Sequence, residues 1–190
     1  LNHLTIFIGY DPKEDICAKI LAHTIRSFDT KIKYKIIPLI YNHLYAYGYT
    51  NRKLDLRGST EFTMTRFLSA PLVNLYHDLR RQTDYPRLAL FLDCDMMFTR
   101  SVDSLIEEVD LTKSVSVCKH DYTSSFLSKM GGTNQDSYPK KNWSSVSLWN
   151  CNNEKTSKLT LDWANVNEPS YLHRFLEFEE DEIGSLDRKW

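Results

Sequence analysis

Several features are missing from this chain, and each absence excludes a class of protein. Only four of its 190 residues are cysteines. Cys17, Cys94, Cys118 and Cys151 are widely spaced and never form a C-x-x-C pair, so neither a zinc ribbon nor a compact disulfide framework fits. No apolar run approaches the roughly 20 residues that a membrane-spanning helix needs. The first residues carry neither the basic nor the apolar region of a secretory signal. The expectation is a reduced, cytoplasmic setting with no integral membrane segment. The formal net charge is only −1, so no overall field draws in nucleic acid or an anionic membrane. Asn142-Trp143-Ser144 has the form of a glycosylation sequon, which without a secretory signal reads as coincidence.

What remains is an ordinary globular composition, 42% hydrophobic and 26% charged, in a length that suits one domain with a sizeable core. The most informative stretch is Leu88 to Phe98. Leu88-Ala89-Leu90-Phe91-Leu92 is a short apolar run that reads as a buried strand. It ends in Asp93-Cys94-Asp95. Two carboxylates at the mouth of such a strand repel each other unless they are solvated, paired or holding a cation. Hard oxygen ligands suit Mg²⁺ or Mn²⁺, ions that keep positions open for substrate phosphates. The plainer alternative is a turn in which one aspartate caps the next segment.

The chain before it has the pattern of an α/β sheet. Leu4-Thr5-Ile6-Phe7-Ile8 reads as a first strand stopping at Gly9. Asp11-Pro12-Lys13-Glu14 then opens a helix, with Ile16, Cys17, Ile20, Leu21, Thr24 and Phe28 at helical spacing. Strand, glycine turn and helix is how open α/β sheets build ligand crevices at their carboxyl ends. Lys33 to Leu39 reads as a second strand, and Tyr41 to Arg57 as a loop. Thr60 to Phe67 leads into a helical pattern that Pro71 is expected to kink. On that helix Arg66 turns away from the apolar stripe, toward either solvent or a cleft. Ser101 to Val109 reads as a helix, Ser114 to Lys119 as a strand ending at His120-Asp121-Tyr122, and Leu159 to Val166 as a helix. Met130 to Asp136 is glycine-bearing and flexible in character, and a lid over the site is expected there.

Leu90 to Phe98 resembles the DxD segment of glycosyltransferases with the A-type (GT-A) fold. Other segments resemble the glycogenin-like and lipopolysaccharide-galactosyltransferase-like branch, family eight, or a bacterial relative of it. The resemblance implies a single catalytic domain over 1–190, a mainly parallel α/β sheet, and transfer of a hexose from a UDP-sugar to a carbohydrate or glycoconjugate acceptor, with retention. It places Mn²⁺ or Mg²⁺ on Asp93 and Asp95. Gly9-Tyr10-Asp11 resembles the nucleotide-binding turn, where Tyr10 lies on the base, or else only packs, and Asp11 meets base or ribose, or else only caps. Arg66 matches an Arg beside the nucleotide and the DxD. Asn142-Trp143-Ser144-Ser145 is similar to an Asn-centred segment that holds the donor sugar through Asn142, Ser144 and Ser145. Asp181 and Glu182 are the nearest matches to an acid-bearing segment facing donor and acceptor. The chain stops at Trp190, before a late His-bearing segment that completes the metal shell in relatives, so a C-terminal segment is expected to be missing. A nucleotidyltransferase and a noncatalytic sugar- or nucleotide-binding domain are the rival readings. The first would need a Gly-rich phosphate loop after the first strand, which Gly9-Tyr10-Asp11 is not.

Overall fold

The computed structural model describes residues 3–54, 60–80, 87–120, 140 and 142–187. In chain order the elements are β1 (His3–Gly9), α1 (Asp15–Arg26), β2 (Lys33–Leu39), α2 (Tyr41–Ala46), α3 (Phe62–Thr65), α4 (Ser69–Arg80), β3 (Leu88–Leu92) and α5 (Val102–Glu108). They continue with β4 (Val115–Cys118), β5 (Val146–Asn150), α6 (Leu161–Val166), α7 (Pro169–His173) and β6 (Ile183–Leu186). Single 3₁₀ turns cover Pro12–Glu14, Arg66–Leu68, Trp143–Ser145 and Glu180–Glu182, among others.

The strands make one sheet in the order β2-β1-β3-β5-β4-β6, flanked by helices. β1 pairs in parallel with β2 and β3, and β4 with β6. β5 runs antiparallel to both of its neighbours, β3 and β4. The expected mainly parallel sheet is therefore present, with one reversed strand inside it. That reversal matters for function. It brings the start of β5 beside the end of β3, so Asp93 donates its backbone N–H to the Ser145 carbonyl at 2.9 Å.

β3 is the spine of the sheet. All five of its residues are buried, as expected where both faces and both edges are covered. Each such aliphatic or aromatic side chain contributes about 1.5–3 kcal/mol by leaving water. The core extends through Ile6, Phe7 and Ile8 of β1 and through Leu148 and Trp149 of β5. Phe175 and Phe178 pack on the Trp149 ring with centroids 5.8 and 6.0 Å away.

Three expectations need correction. Tyr41–Ala46 is a helix, not loop; six residues are too few to display a period. The buried face of α1 is Ala18, Leu21 and Ile25, whereas Ile16 and Ile20 are 63% and 42% exposed. The two isoleucines satisfy helical spacing on a face the sheet does not cover. Pro71 does not produce the break. It lies in the first turn of α4, where its missing N–H has no intrahelical role, and the change of winding falls upstream at Arg66–Leu68. The lid expected at Met130 to Asp136 lies outside the described residues, as do Asp121 and Tyr122.

Candidate active site at the carboxyl end of β3

Asp93 directly follows β3, its side chain only 16% exposed. Its Oδ1 lies 3.1 Å from Arg66 Nη2, yet that oxygen is fully buried and takes no hydrogen bond. Burial pushes the Asp93 carboxyl above its ordinary value; Arg66 and a hydrogen bond from Ser145 pull it back, while Asp95 and Glu14 push it further up. Asp95, two residues on, is exposed. Between them the buried Cys94 thiol donates to Glu14 Oε2 at 2.9 Å. Burial first, and then that carboxylate, push the thiol far above its usual range, so it remains protonated and unreactive.

Arg66 settles the choice between solvent and cleft. It is 8% exposed. It lies in a 3₁₀ turn, Arg66–Leu68, all three of whose residues are buried. Its Nη1 donates to both the carbonyl and the hydroxyl of Ser144, each at 3.1 Å, while Nη2 faces Asp93. The guanidinium carbon lies 5.5 and 5.3 Å from the ring centres of Phe62 and Phe91, within cation–π range. Arg66 Nε is buried with no hydrogen bond. The Ser144 hydroxyl also meets His173 Nδ1 at 3.1 Å, and His173 sits edge-on to Phe67 with centroids 4.9 Å apart. Sequence reading singled out neither His173 nor Glu14. Glu14 was visible only as a residue of a helix start, and nothing in the pattern around His173 marks it.

The turn after β1 borders the same end of the sheet. A Cβ on Gly9 would stand 2.6 Å from the Phe62 ring, so glycine here lets an aromatic lie directly on the strand end. Asp11 is buried, and both its oxygens are used: Oδ1 accepts from Lys13 N at 2.9 Å and Oδ2 from Glu61 N at 3.0 Å. It is a helix cap that also ties down the start of α3. The Tyr10 hydroxyl donates to Asp15 Oδ1 at 3.2 Å. Beyond Glu61 lies a shallow, solvent-connected cleft lined by Tyr41, Arg52, Lys53, Glu61, Thr63 and Met64 among others. Burial and the neighbouring Asp11 raise the Glu61 carboxyl above its ordinary value.

The Asn142 segment completes the wall. Asn142 is exposed and left-handed, with φ 65°, a conformation asparagine tolerates better than most residues. It starts the turn that delivers Ser144 and Ser145 to Arg66 and Asp93. Trp143 donates from Nε1 to the His120 carbonyl at 3.2 Å; the His120 side chain is exposed.

Asp181 and Glu182 do not join this group. β3, β4 and β6 run the same way, so residues just before β6 lie where those strands begin, at the other end of the sheet from Asp93. Asp181 is exposed, and its carbonyl accepts from Lys113 Nζ. Glu182 pairs with Lys155 at 2.6 Å and closes a capping box with Glu179. The expectation that these two acids face donor and acceptor is corrected: a likeness in residue type carries no information on which end of a strand a segment occupies.

A mostly parallel six-stranded sheet of this order, flanked by helices, is the GT-A glycosyltransferase fold. The chain covers its full length on the apo WbbM bifunctional glycosyltransferase with a TM-score of 0.59 at 13% identity, spanning 39% of that protein. It also matches a glycosyltransferase involved in glycosylation of the major capsid of PBCV-1 (TM-score 0.53, 13% identity, 97% of this chain and 81% of the other). Apo GlyE of Streptococcus pneumoniae TIGR4 is similar as well (TM-score 0.51, 15% identity, 98% of this chain and 46% of the other). No family model matches the sequence. The chain belongs to the same family as Protein CDI of Arabidopsis thaliana, to which it is 35% identical over 185 residues, covering 97% of this chain and 67% of that protein.

Proposed function

We propose that this domain is a metal-dependent glycosyltransferase that moves a hexose from a UDP-sugar to a carbohydrate or glycoconjugate acceptor, with retention at the anomeric carbon. The observation that carries the reading is the buried Asp93 carboxylate at the end of β3, faced by Arg66 and walled by the Ser144–Ser145 turn, with Asp95 exposed beside it. Among the described residues no group of three or more His, Cys, Asp or Glu side chains forms a ready metal cage. Two carboxylates suit an ion that completes its shell with water and a diphosphate. The hydrogen-bond-free Asp93 Oδ1 fits that use. Bound there, Mn²⁺ or Mg²⁺ supplies positive charge to the departing diphosphate.

The protein's own residues take the remaining tasks. Arg66 keeps a fixed positive charge beside Asp93, and such preorganised charge is most effective in a pocket that excludes water. Asn142 and Ser145 present an amide and a hydroxyl to a sugar, while the buried Ser144 hydroxyl, engaged by Arg66 and His173, holds the wall behind them. Gly9 and Tyr10, with the adjoining cleft, form the base side, on a turn that the buried Asp11 cap holds in place. With retention, the leaving phosphate takes the acceptor's proton and no dedicated general base is required. No helix among the described residues is long and apolar enough to cross a membrane.

The test is thermal unfolding with UDP, with and without Mn²⁺, because a ligand specific to the native state raises its melting point. UDP is expected to stabilise far more with Mn²⁺ present, and Asp95→Asn to abolish the additional shift. Equal shifts with and without the ion overturn the metal assignment. UDP-hexose hydrolysis without acceptor then separates an enzyme from a binding domain.

A further inference from the structure

We propose that His173 is a positioning residue for Arg66, acting through the Ser144 hydroxyl to hold the guanidinium between Asp93 and the sugar-side wall. The inference rests on reading this pocket as the donor site, and it assigns a role to a side chain on α7, an element with no other part in that reading.

Three polar contacts form one line. Arg66 Nη2 meets Asp93 Oδ1 at 3.1 Å, Arg66 Nη1 meets Ser144 Oγ at 3.1 Å, and Ser144 Oγ meets His173 Nδ1 at 3.1 Å. The guanidinium can only donate, so Ser144 Oγ must accept from it. The single hydroxyl proton is then free to point at His173, and all donors align in one direction when the imidazole carries its proton on Nε2. An aligned chain strengthens each of its members. The surroundings raise the stakes: Phe62 and Phe91 flank the guanidinium, Phe67 supports the imidazole, and Ser144 is 4% exposed. No water-like freedom remains for the serine rotor. Without His173, Ser144 loses the partner that fixes its proton away from Arg66. The guanidinium is then held on that side by the Ser144 carbonyl alone and can rotate off Asp93.

A residue that only packs would behave differently, and a ligand-free measurement separates the two cases. Urea unfolding is compared for wild type, His173→Phe, Ser144→Ala and the double variant. His173→Phe preserves an aromatic against Phe67 and deletes the hydrogen bond. A chain predicts that His173→Phe lowers the unfolding midpoint by more in the wild-type background than once Ser144 is alanine. Equal losses in both backgrounds overturn the proposal. The site arm is the dissociation constant of UDP with Mn²⁺. His173→Phe and Ser144→Ala are each expected to weaken it about fivefold, the scale of one hydrogen bond. His173→Asn, which returns a polar group near the Nδ1 position, should recover most of the loss. Unchanged affinity in His173→Phe, or a loss that asparagine does not recover, also overturns the positioning role. If wild type itself binds no UDP with Mn²⁺, the donor-site reading fails, and the ligand-free cycle still decides whether the chain exists. Should His173→Phe fail to fold, His173→Gln takes its place in the cycle.

Discussion

The two ends of this sheet both carry clustered acids, and they use them in opposite ways. At the carboxyl end of β3, Asp93 is nearly enclosed, pressed against a buried arginine and raised in pKa by burial. Before β6, Glu180, Asp181 and Glu182 include no buried residue. Their carboxylates serve local ends: Glu180 pairs with Lys140, and Glu182 with Lys155 and the Glu179 N–H. The same residue type becomes a candidate reactive group or a surface tie according to what surrounds it. Acid count does not locate a site; desolvation does.

The largest expected effect comes from emptying one side of the buried pair. Arg66→Leu leaves Asp93 without its cation, a change that costs about 3–5 kcal/mol for buried pairs. Urea unfolding in metal-free buffer measures it, and a loss under about 1 kcal/mol would erase the contrast between the two ends. Next in size is turnover. Asp95→Asn should slow UDP-hexose hydrolysis about a hundredfold or more, as loss of a preorganised electrostatic contact does, while Glu182→Gln leaves it unchanged. A comparable fall in Glu182→Gln would return the acidic run to the site.

The pH dependence should differ in sign. The folded Asp93 carboxyl is raised above its ordinary value, chiefly by burial. Its contribution to stability is therefore complete below the unfolded carboxylate range and is lost as pH rises through the raised value. Glu182 is lowered, by the Lys155 ammonium first and then by the Glu179 N–H. Its contribution is present above the ordinary carboxylate value and is lost as pH falls through the lowered one. Unfolding followed from about pH 3 to 8 in metal-free buffer should show Asp93→Asn relieving the decline on the rising side, and Glu182→Gln relieving the decline toward acid. Slopes of one sign in both variants would contradict the burial assignment. Smallest of all, Asp181→Asn should shift stability by no more than about 0.5 kcal/mol, read from the same urea curves.

Much of the fold was legible because burial on both faces writes short continuous apolar runs. Leu4 to Ile8 and Leu88 to Leu92 announce β1 and β3, and the Asp11-Pro12 cap announces α1. The direction of β5 was not legible. Val146 to Asn150 has the same composition in either orientation, and only the assembled sheet decides which way it runs. That one unknown misplaced the acidic segment, because the end of the sheet on which a residue falls follows from strand direction. Arg66 was recognisable by type, but its aim is set by Ser144 and Asp93, partners that sequence periodicity does not encode. His173 was invisible because its partner Ser144 lies 29 residues away.

The reversed strand also sets an order of events during folding. β1 can pair with β2, 30 residues further along the chain, before β3 and β5 are in place, and Asp93 then stands at an open strand end. Its wall arrives only when Ser144, 78 residues beyond Arg66, is threaded between β3 and β4. Closing so long a loop is slow relative to local helix formation and yields nothing until it is complete. The pocket should therefore be among the last features to appear in refolding, with amides of β1 protected from hydrogen exchange before those of Val146 to Asn150. Until then Asp93 is exposed to water, and its carboxyl acquires its raised pKa only as β5 docks.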